Sequence, residues 1–253
     1  MKTTIPLAAA LACAGAPAAA DTLKKVPATL NPAKAYILVE YQLLENHLAG
    51  LPGSRKRLPL LTGLTFARYD PDRGDIRGLG RAVDSKLPGK LSNVEPFRNR
   101  EIVRGKTSRL HLIEVEPDTW VVQAFGDTSF SLGSYSFRLE PGTVTDLGVA
   151  TAENDWAEGD RAINGGDLVK MALLGPFAKR PAVAPMRVSF RPRGSQDLAV
   201  PASLPTEKVR QVAFVPGARF GNYLGGLVNR IEGVNARIKA ESAGTPASGS
   251  PTP

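Results

Sequence analysis

Residues 109–151 decide the fold, and they read RLHLIEVEPDTWVVQAFGDTSFSLGSYSFRLEPGTVTDLGVAT. Apolar and polar residues alternate through much of this stretch, most clearly where Tyr135, Phe137 and Leu139 stand between polar neighbours. Because successive side chains of a strand point to opposite faces, this period of two predicts strands with one apolar face. We expect strands over residues 109–116, 119–125, 134–140 and 143–149.

Two short turns in this stretch share a pattern, EPDT at residues 116–119 and EPGT at residues 140–143. Proline fixes φ, and Asp or Gly tolerates the conformations that tight turns need, so each turn predicts a β-hairpin and the pair reads as one hairpin used twice. These hairpins resemble those of exported bacterial β-sandwich modules, such as the uncharacterised DUF2846-type proteins and PEGA-like domains. The resemblance covers residues 109–150 and implies a β-sandwich in the cell envelope without assigned catalysis.

The rest of the chain extends this pattern. With 25 glycines and 21 prolines in 253 residues, turns should be plentiful and long helices few. Residues 81–101 and 155–166 have the composition of loops, and the apolar run 168–174 fits either a helix or a strand. We expect a mainly β fold with β-sandwich-like antiparallel sheets, a C-terminal helix and a disordered tail. Further strands are predicted over residues 35–41, 61–69, 185–190 and 209–215.

An apolar stripe near the C-terminus recurs at helical spacing. It consists of Phe220, Leu224, Leu227, Ile231, Val234 and Ile238. This spacing predicts an amphipathic helix over residues 217–239, after a mostly-β domain over 21–216 and before a disordered tail over 240–253. The helix packs on the domain or binds a partner or a membrane surface; because its four glycines weaken it, the third alternative is that no stable helix forms.

The first twenty residues have the layout of a secretory signal peptide. Lys2 precedes a short apolar run, and three alanines end the segment before Asp21. We expect cleavage after Ala20, with lipidation of Cys13 as the alternative. Cleavage would leave no cysteine and no transmembrane segment. The sequence therefore predicts an exported protein that is periplasmic or extracellular, with association with the envelope as a further expectation.

The formal net charge of +8 is sorted along the chain. Residues 55–109 carry 14 basic and 6 acidic side chains, residues 111–167 carry 2 and 11, and residues 168–253 carry 12 and 4. We expect the acidic middle to pair with its basic flanks when the chain folds. No nucleic-acid recognition motif accompanies the charge, so we predict no nucleic-acid partner. An anionic envelope surface or an envelope protein is the favoured partner.

Several partial motifs are too incomplete to predict a catalytic, cofactor or metal site. Gly105-Lys106-Thr107 resembles the end of a P-loop, but Arg100 stands where its first glycine should be. The two histidines, His47 and His111, lie in unrelated contexts. His111 shares a strand face with apolar residues, which favours a sheet histidine with satisfied hydrogen bonds over a catalytic base. Accordingly, no catalytic residue, cofactor or metal ligand is assigned.

Two acidic groups remain as candidates. Asp70, Asp72 and Asp75 have part of the spacing of a calcium loop, but Arg81 occupies the place of its final glutamate, which favours a solvated turn. A second group surrounds Trp156, and a carboxylate pair beside an aromatic ring could cleave a glycoside. Its members are Glu153, Asp155, Glu158 and Asp160.

Taken together, these features favour an exported, non-enzymatic cell-envelope protein with a binding or structural role. The alternative is a carbohydrate-acting enzyme that uses the acidic loop around Trp156. A third hypothesis is an adaptor that docks its C-terminal helix on a partner.

Overall fold

The computed structural model describes residues 21–42, 44–45, 57–58, 63–82, 100–162, 164–177 and 183–244. Within them the chain forms two β-sheets packed face to face, a short two-stranded ribbon and two helices. The prediction of a mainly β, sandwich-like fold is confirmed. The expected signal peptide lies outside the described residues.

The elements follow one another in a mostly-β order. The strands are β1 (Asp21–Leu23), β2 (Ala35–Gln42), β3 (Leu44–Glu45), β4 (Arg57–Leu58), β5 (Leu64–Asp70), β6 (Asp75–Ile76), β7 (Val103–Arg104), β8 (Ser108–Val115), β9 (Thr119–Phe125), β10 (Thr128–Arg138), β11 (Val144–Asn154), β12 (Met186–Arg191), β13 (Val209–Gln211), β14 (Val215–Ala218) and β15 (Leu227–Arg230). The helices are α1 (Gly165–Leu174) and α2 (Val234–Gly244).

The first sheet has the strand order β1-β8-β2-β11-β12, with β7 beside β8 and β13 beside β11. The second has the order β14-β10-β9-β5-β6, with β15 beside β10. Most neighbours are antiparallel, as expected. Three pairs are parallel: β11 with β2, β11 with β13, and β10 with β15.

The main core lies between the two sheets. Its largest fully buried side chains include Trp120, Tyr41, Phe66, Phe130 and Phe137. Strand β2 is buried on both faces, because a second apolar cluster covers the outer side of the first sheet. This explains why the β2 sequence AYILVEY is nearly continuous in apolar residues instead of alternating.

The prediction that one hairpin is used twice is wrong, although both turns exist. The turn at residues 116–119 links β8 of the first sheet to β9 of the second, and the turn at 140–143 links β10 back to β11. Neither pair of flanking strands is hydrogen-bonded. The Leu139 amide donates to the Asp118 carbonyl at 2.9 Å, so the two crossings lie side by side. The hairpin in this stretch joins β9 to β10.

The helix predicted over residues 217–239 is wrong across most of that range. The chain there forms β14, a turn and β15, and α2 begins only at Val234 and ends at Gly244. Gly225 and Gly233 adopt φ of 69° and 80°, values that a right-handed helix cannot contain. Residues 240–244, predicted as disordered, continue α2, and the rest of the predicted tail lies outside the described residues.

Candidate functional site

A buried ion triad, formed by Arg193, Glu40 and Asp146, lies in the first sheet. The first residues of β11 pair with β13 and its last residues pair with β12. Arg193 belongs to the loop that connects β12 to β13. The Arg193 guanidinium donates to Glu40 Oε2 at 2.5 Å and to both oxygens of Asp146 at 3.0 and 3.1 Å. It also donates to the carbonyls of Gly148 and Leu198, so all five N–H groups are used.

The local backbone is shaped to build this triad. Gly148 has φ of 79°, and its amide donates to Asp146 Oδ1 at 2.8 Å. The register between β11 and β2 slips by one residue here, which is a β-bulge. On the other side, Arg191 and Asp197 form a two-point ion pair at 2.6 Å that closes the loop carrying Arg193. The triad is therefore a structural device within the sheet.

A second ion network ties the acidic middle of the chain to its basic N-terminal flank. Asp118 Oδ2 accepts from Arg68 Nε at 2.6 Å and lies 3.4 Å from Arg77 Nε. Arg77 also bonds Asp70 at 3.2 Å. On the other flank, Arg187 pairs with Glu153. The expectation that the acidic segment pairs with basic flanks is confirmed by these contacts.

The Asp70–Asp75 turn is held by protein donors. Asp75 is buried and accepts from the amides of Ile76, Arg81 and Gly221 and from the hydroxyl of Tyr223 at 2.8–3.3 Å. Burial alone would raise the pKa of Asp75, but these hydrogen bonds outweigh it and hold the pKa below its usual value. The interpretation as a solvated turn is therefore wrong for Asp70 and Asp75, which are both buried, and holds for exposed Asp72.

Two of the four acidic residues around Trp156 are held by protein donors, and the other two are exposed. Glu153 is held by Arg187, and Asp155 accepts from the Asn229 side chain at 3.2 Å. Glu158 and Asp160 are exposed in a turn after the strand. None of the four lines the cavity described below.

His111 is a buried residue of β8 in the first sheet. Its ring meets that of Tyr41 edge-on, with centroids 5.4 Å apart. Burial disfavours the charged ring and lowers the pKa of His111 to about 4, despite the nearby carboxylate of Glu101. The burial of His111 within the sheet is as predicted, whereas His47 lies outside the described residues.

Gly105, from the P-loop-like triplet, lies in the tight turn between β7 and β8. Its amide donates to the Ser108 carbonyl at 3.0 Å, and a side chain there would press on Leu198. Since neither strand leads into a helix, this turn cannot cradle a phosphate as a P-loop does. Among the described residues, no three His, Cys, Asp or Glu side chains are grouped so that they could hold a metal ion.

A cavity of about 430 Å³ opens between the β9–β10 hairpin and the loop before β15. Asp127 is the one charged residue among those that line it, and the others are small or aliphatic. Gly226 packs its backbone against the Asp127 carbonyl, which also accepts from the Leu227 amide at 2.8 Å. This wide, weakly polar cleft offers few groups to orient a small ligand.

The apolar run 168–174, which fitted either a helix or a strand, lies in α1, and most of its apolar surface is exposed. Its N-terminus is capped by Asn164 and Asp167, each of whose side chains accepts from the other's amide at 3.0 Å. In the part of the chain that the structure describes, no side chain of α1 is buried. Leu173 is 80% exposed, and Phe177, in the 3-10 turn that follows, is 90% exposed.

Over the described residues, neither helix has the length and apolar character that crossing a bilayer requires. Comparison with protein-family models, curated proteins and solved structures finds no match to this chain.

Proposed function

We propose that this chain is an exported, non-enzymatic protein that associates with the cell envelope, in a binding or structural role. The layout of residues 1–20 supports export, and the surplus of basic charge suits an anionic surface. The exposed apolar helix α1 is the observation that carries the proposal. Helices of soluble domains ordinarily bury an apolar stripe, so α1 suits a surface supplied from outside the described chain.

The pairing of the charged side chains favours a structural role for them. Arg193, Asp146 and Asp75 make their hydrogen bonds within the fold, and Glu153, although exposed, pairs with Arg187. A catalytic carboxylate must reach substrate and exchange a proton with it. These pairings therefore support a binding protein over a glycoside hydrolase.

Co-sedimentation with purified outer membranes and with peptidoglycan tests the proposal. The chain from Asp21 onward contains all of the described structure, and we expect it to sediment with one of the two fractions. Repeating the assay at low and high salt separates the electrostatic part of binding, because salt screens exposed charges. Binding to neither fraction would refute envelope association. Turnover of envelope glycans that Glu153→Gln abolishes would refute the non-enzymatic role.

A further inference from the structure

We propose that α1 and the turn after it, residues 165–177, insert into the interface of an anionic lipid bilayer. This inference rests on the proposed envelope association and names its ligand as lipid. The segment would lie in the plane of the membrane, with its apolar side chains among the acyl chains and its charged face toward the headgroups.

The arrangement of side chains around α1 fits this position. Leu168 with Ala172, and Val169 with Leu173, are four residues apart and therefore share one side of the helix. The two charged residues of the helix, Asp167 and Lys170, lie on the opposite side together with Met171 and Leu174. A helix with one wholly apolar side and its few charges on the other is compatible with binding to a membrane surface.

Local contacts start this helix without help from the sandwich. The capping box satisfies the amides of Asn164 and Asp167, and Arg161 adds two hydrogen bonds to Asp167 at 2.7 and 3.1 Å. At the other end, the Gly175 amide donates to the Met171 carbonyl, and Gly175 adopts φ of 52°. The segment therefore has fixed ends while its apolar side stays uncovered.

Charge complementarity identifies the occupant as an anionic surface. The sequence has no acidic residue between Asp167 and Asp197, and six lysines and arginines lie there. Three of these, Arg187, Arg191 and Arg193, pair with carboxylates of the fold. The other three lie on or close to the segment in the sequence, Lys170 within α1 and Lys179 and Arg180 just after Phe177. The whole region from Leu168 to the C-terminus carries 12 basic and 4 acidic side chains. Apolar insertion and attraction to anionic lipid then act together, as surface helices require.

Vesicle co-sedimentation tests the inference with purified chain from Asp21 onward. Wild-type protein should bind vesicles containing phosphatidylglycerol much more tightly than vesicles of phosphatidylcholine alone. Leu173→Gln with Phe177→Gln should weaken the binding about tenfold or more, because both side chains are exposed and carry the apolar contact. Leu224→Gln is the matched control, since Leu224 is also exposed but lies outside α1.

Phe177→Trp gives a second measurement that does not depend on loss of binding. Its fluorescence should shift to shorter wavelength on anionic vesicles and be quenched by brominated acyl chains. Equal binding of the double variant and the wild type, or no fluorescence change on bound vesicles, would overturn the inference. A dimer in sedimentation velocity that the double variant dissociates would also overturn it, because α1 would then dock on a second copy.

The two proposals fail in different ways. Suppose that the wild type and the double variant sediment equally with peptidoglycan or outer membranes and that the wild type does not bind vesicles. This result would refute lipid insertion but not envelope association. Binding to neither envelope fraction nor vesicles would refute both.

Discussion

Replacing Arg193 by methionine should severely destabilise the protein, because it leaves two carboxylates buried without their partner. The side chains of Glu40 and Asp146 are 3% and 8% exposed, and that of Arg193 is 10% exposed. Breaking a buried ion pair by removing one partner costs about 3–5 kcal/mol. Here one guanidinium serves two carboxylates, so we expect the upper part of that range.

Urea unfolding at pH 7 measures this loss. The free energy of unfolding of a domain is about 5–15 kcal/mol, so the variant should keep only part of its stability. With a slope of about 2–3 kcal/mol per molar urea, a loss of about 4–5 kcal/mol should lower the unfolding midpoint by about 1.5–2.5 M. Arg138→Met is the control, because Arg138 and Glu140 form an exposed pair, and we expect a change below about 1 kcal/mol.

A triple variant separates the lost pairing from the lost packing. Arg193→Met combined with Glu40→Gln and Asp146→Asn removes both buried charges and should recover much of the loss, since neutral groups no longer need the guanidinium. An Arg193→Met variant that loses less than about 1 kcal/mol would contradict the reasoning. So would a triple variant no more stable than the single one.

Three further predictions use other parts of the fold. Gly148→Ala should destabilise the protein far more than Gly159→Ala in urea unfolding, because both glycines have positive φ but only at Gly148 would the new methyl collide with the Arg191 carbonyl. His111 should titrate near pH 4 by NMR, because its pKa in the folded protein is about 4, below the value of about 6.5 in the unfolded chain. Its contribution to the free energy of unfolding, about 3 kcal/mol, should therefore be fully present above pH 6.5 and be lost as the pH falls towards 4. Asp75→Asn should lower the melting temperature at neutral pH and have less effect in acid, where the wild-type carboxylate of lowered pKa is itself protonated.

The strands were predictable because their signal is local. The observed β9 spans Thr119–Phe125 as expected, and β2 and β12 extend only one residue beyond the predicted 35–41 and 185–190. Alternation and turn residues are sufficient to place a strand. Alternation and turn residues do not predict which sheet the next strand joins. Pro-Asp and Pro-Gly suit a hairpin and a crossing between sheets equally, which is why both inter-sheet turns were misassigned.

The helix predicted over residues 217–239 does not form there, because the helical spacing of its apolar residues does not show where glycines interrupt the helix. Ile231 and Val234 are buried as the stripe required, whereas Leu224 and Leu227 are exposed. Positive φ at Gly225 and Gly233 breaks any continuous helix, and β15 instead pairs in parallel with β10. That pairing depends on residues about a hundred positions away, which no local pattern contains.

The ion triad could not have been found from sequence. Glu40 and Arg193 are separated by 153 residues, and each reads as an ordinary surface charge in its own segment. One signal was present at coarse scale, because the acidic middle between basic flanks anticipated pairing across the sheets. Composition can therefore predict that such pairs exist, but only the fold selects which residues form them.

The ion pairs and the exposed helix α1 together indicate which part of the chain could meet an anionic surface. Asp118, Asp146 and Glu153 are each held by arginines from the basic flanks, so much of the charge sorted along the sequence is neutralised in space. The acidic middle ends at Asp167, which is paired with Arg161 at the start of α1. From that helix onward the sequence is predominantly basic. This region supplies Arg187 and Arg193 to those pairs, and the basic residues on or next to α1 in the sequence are Lys170, Lys179 and Arg180. An exposed apolar helix with these residues combines apolar surface and positive charge, which is the combination that an anionic membrane surface favours.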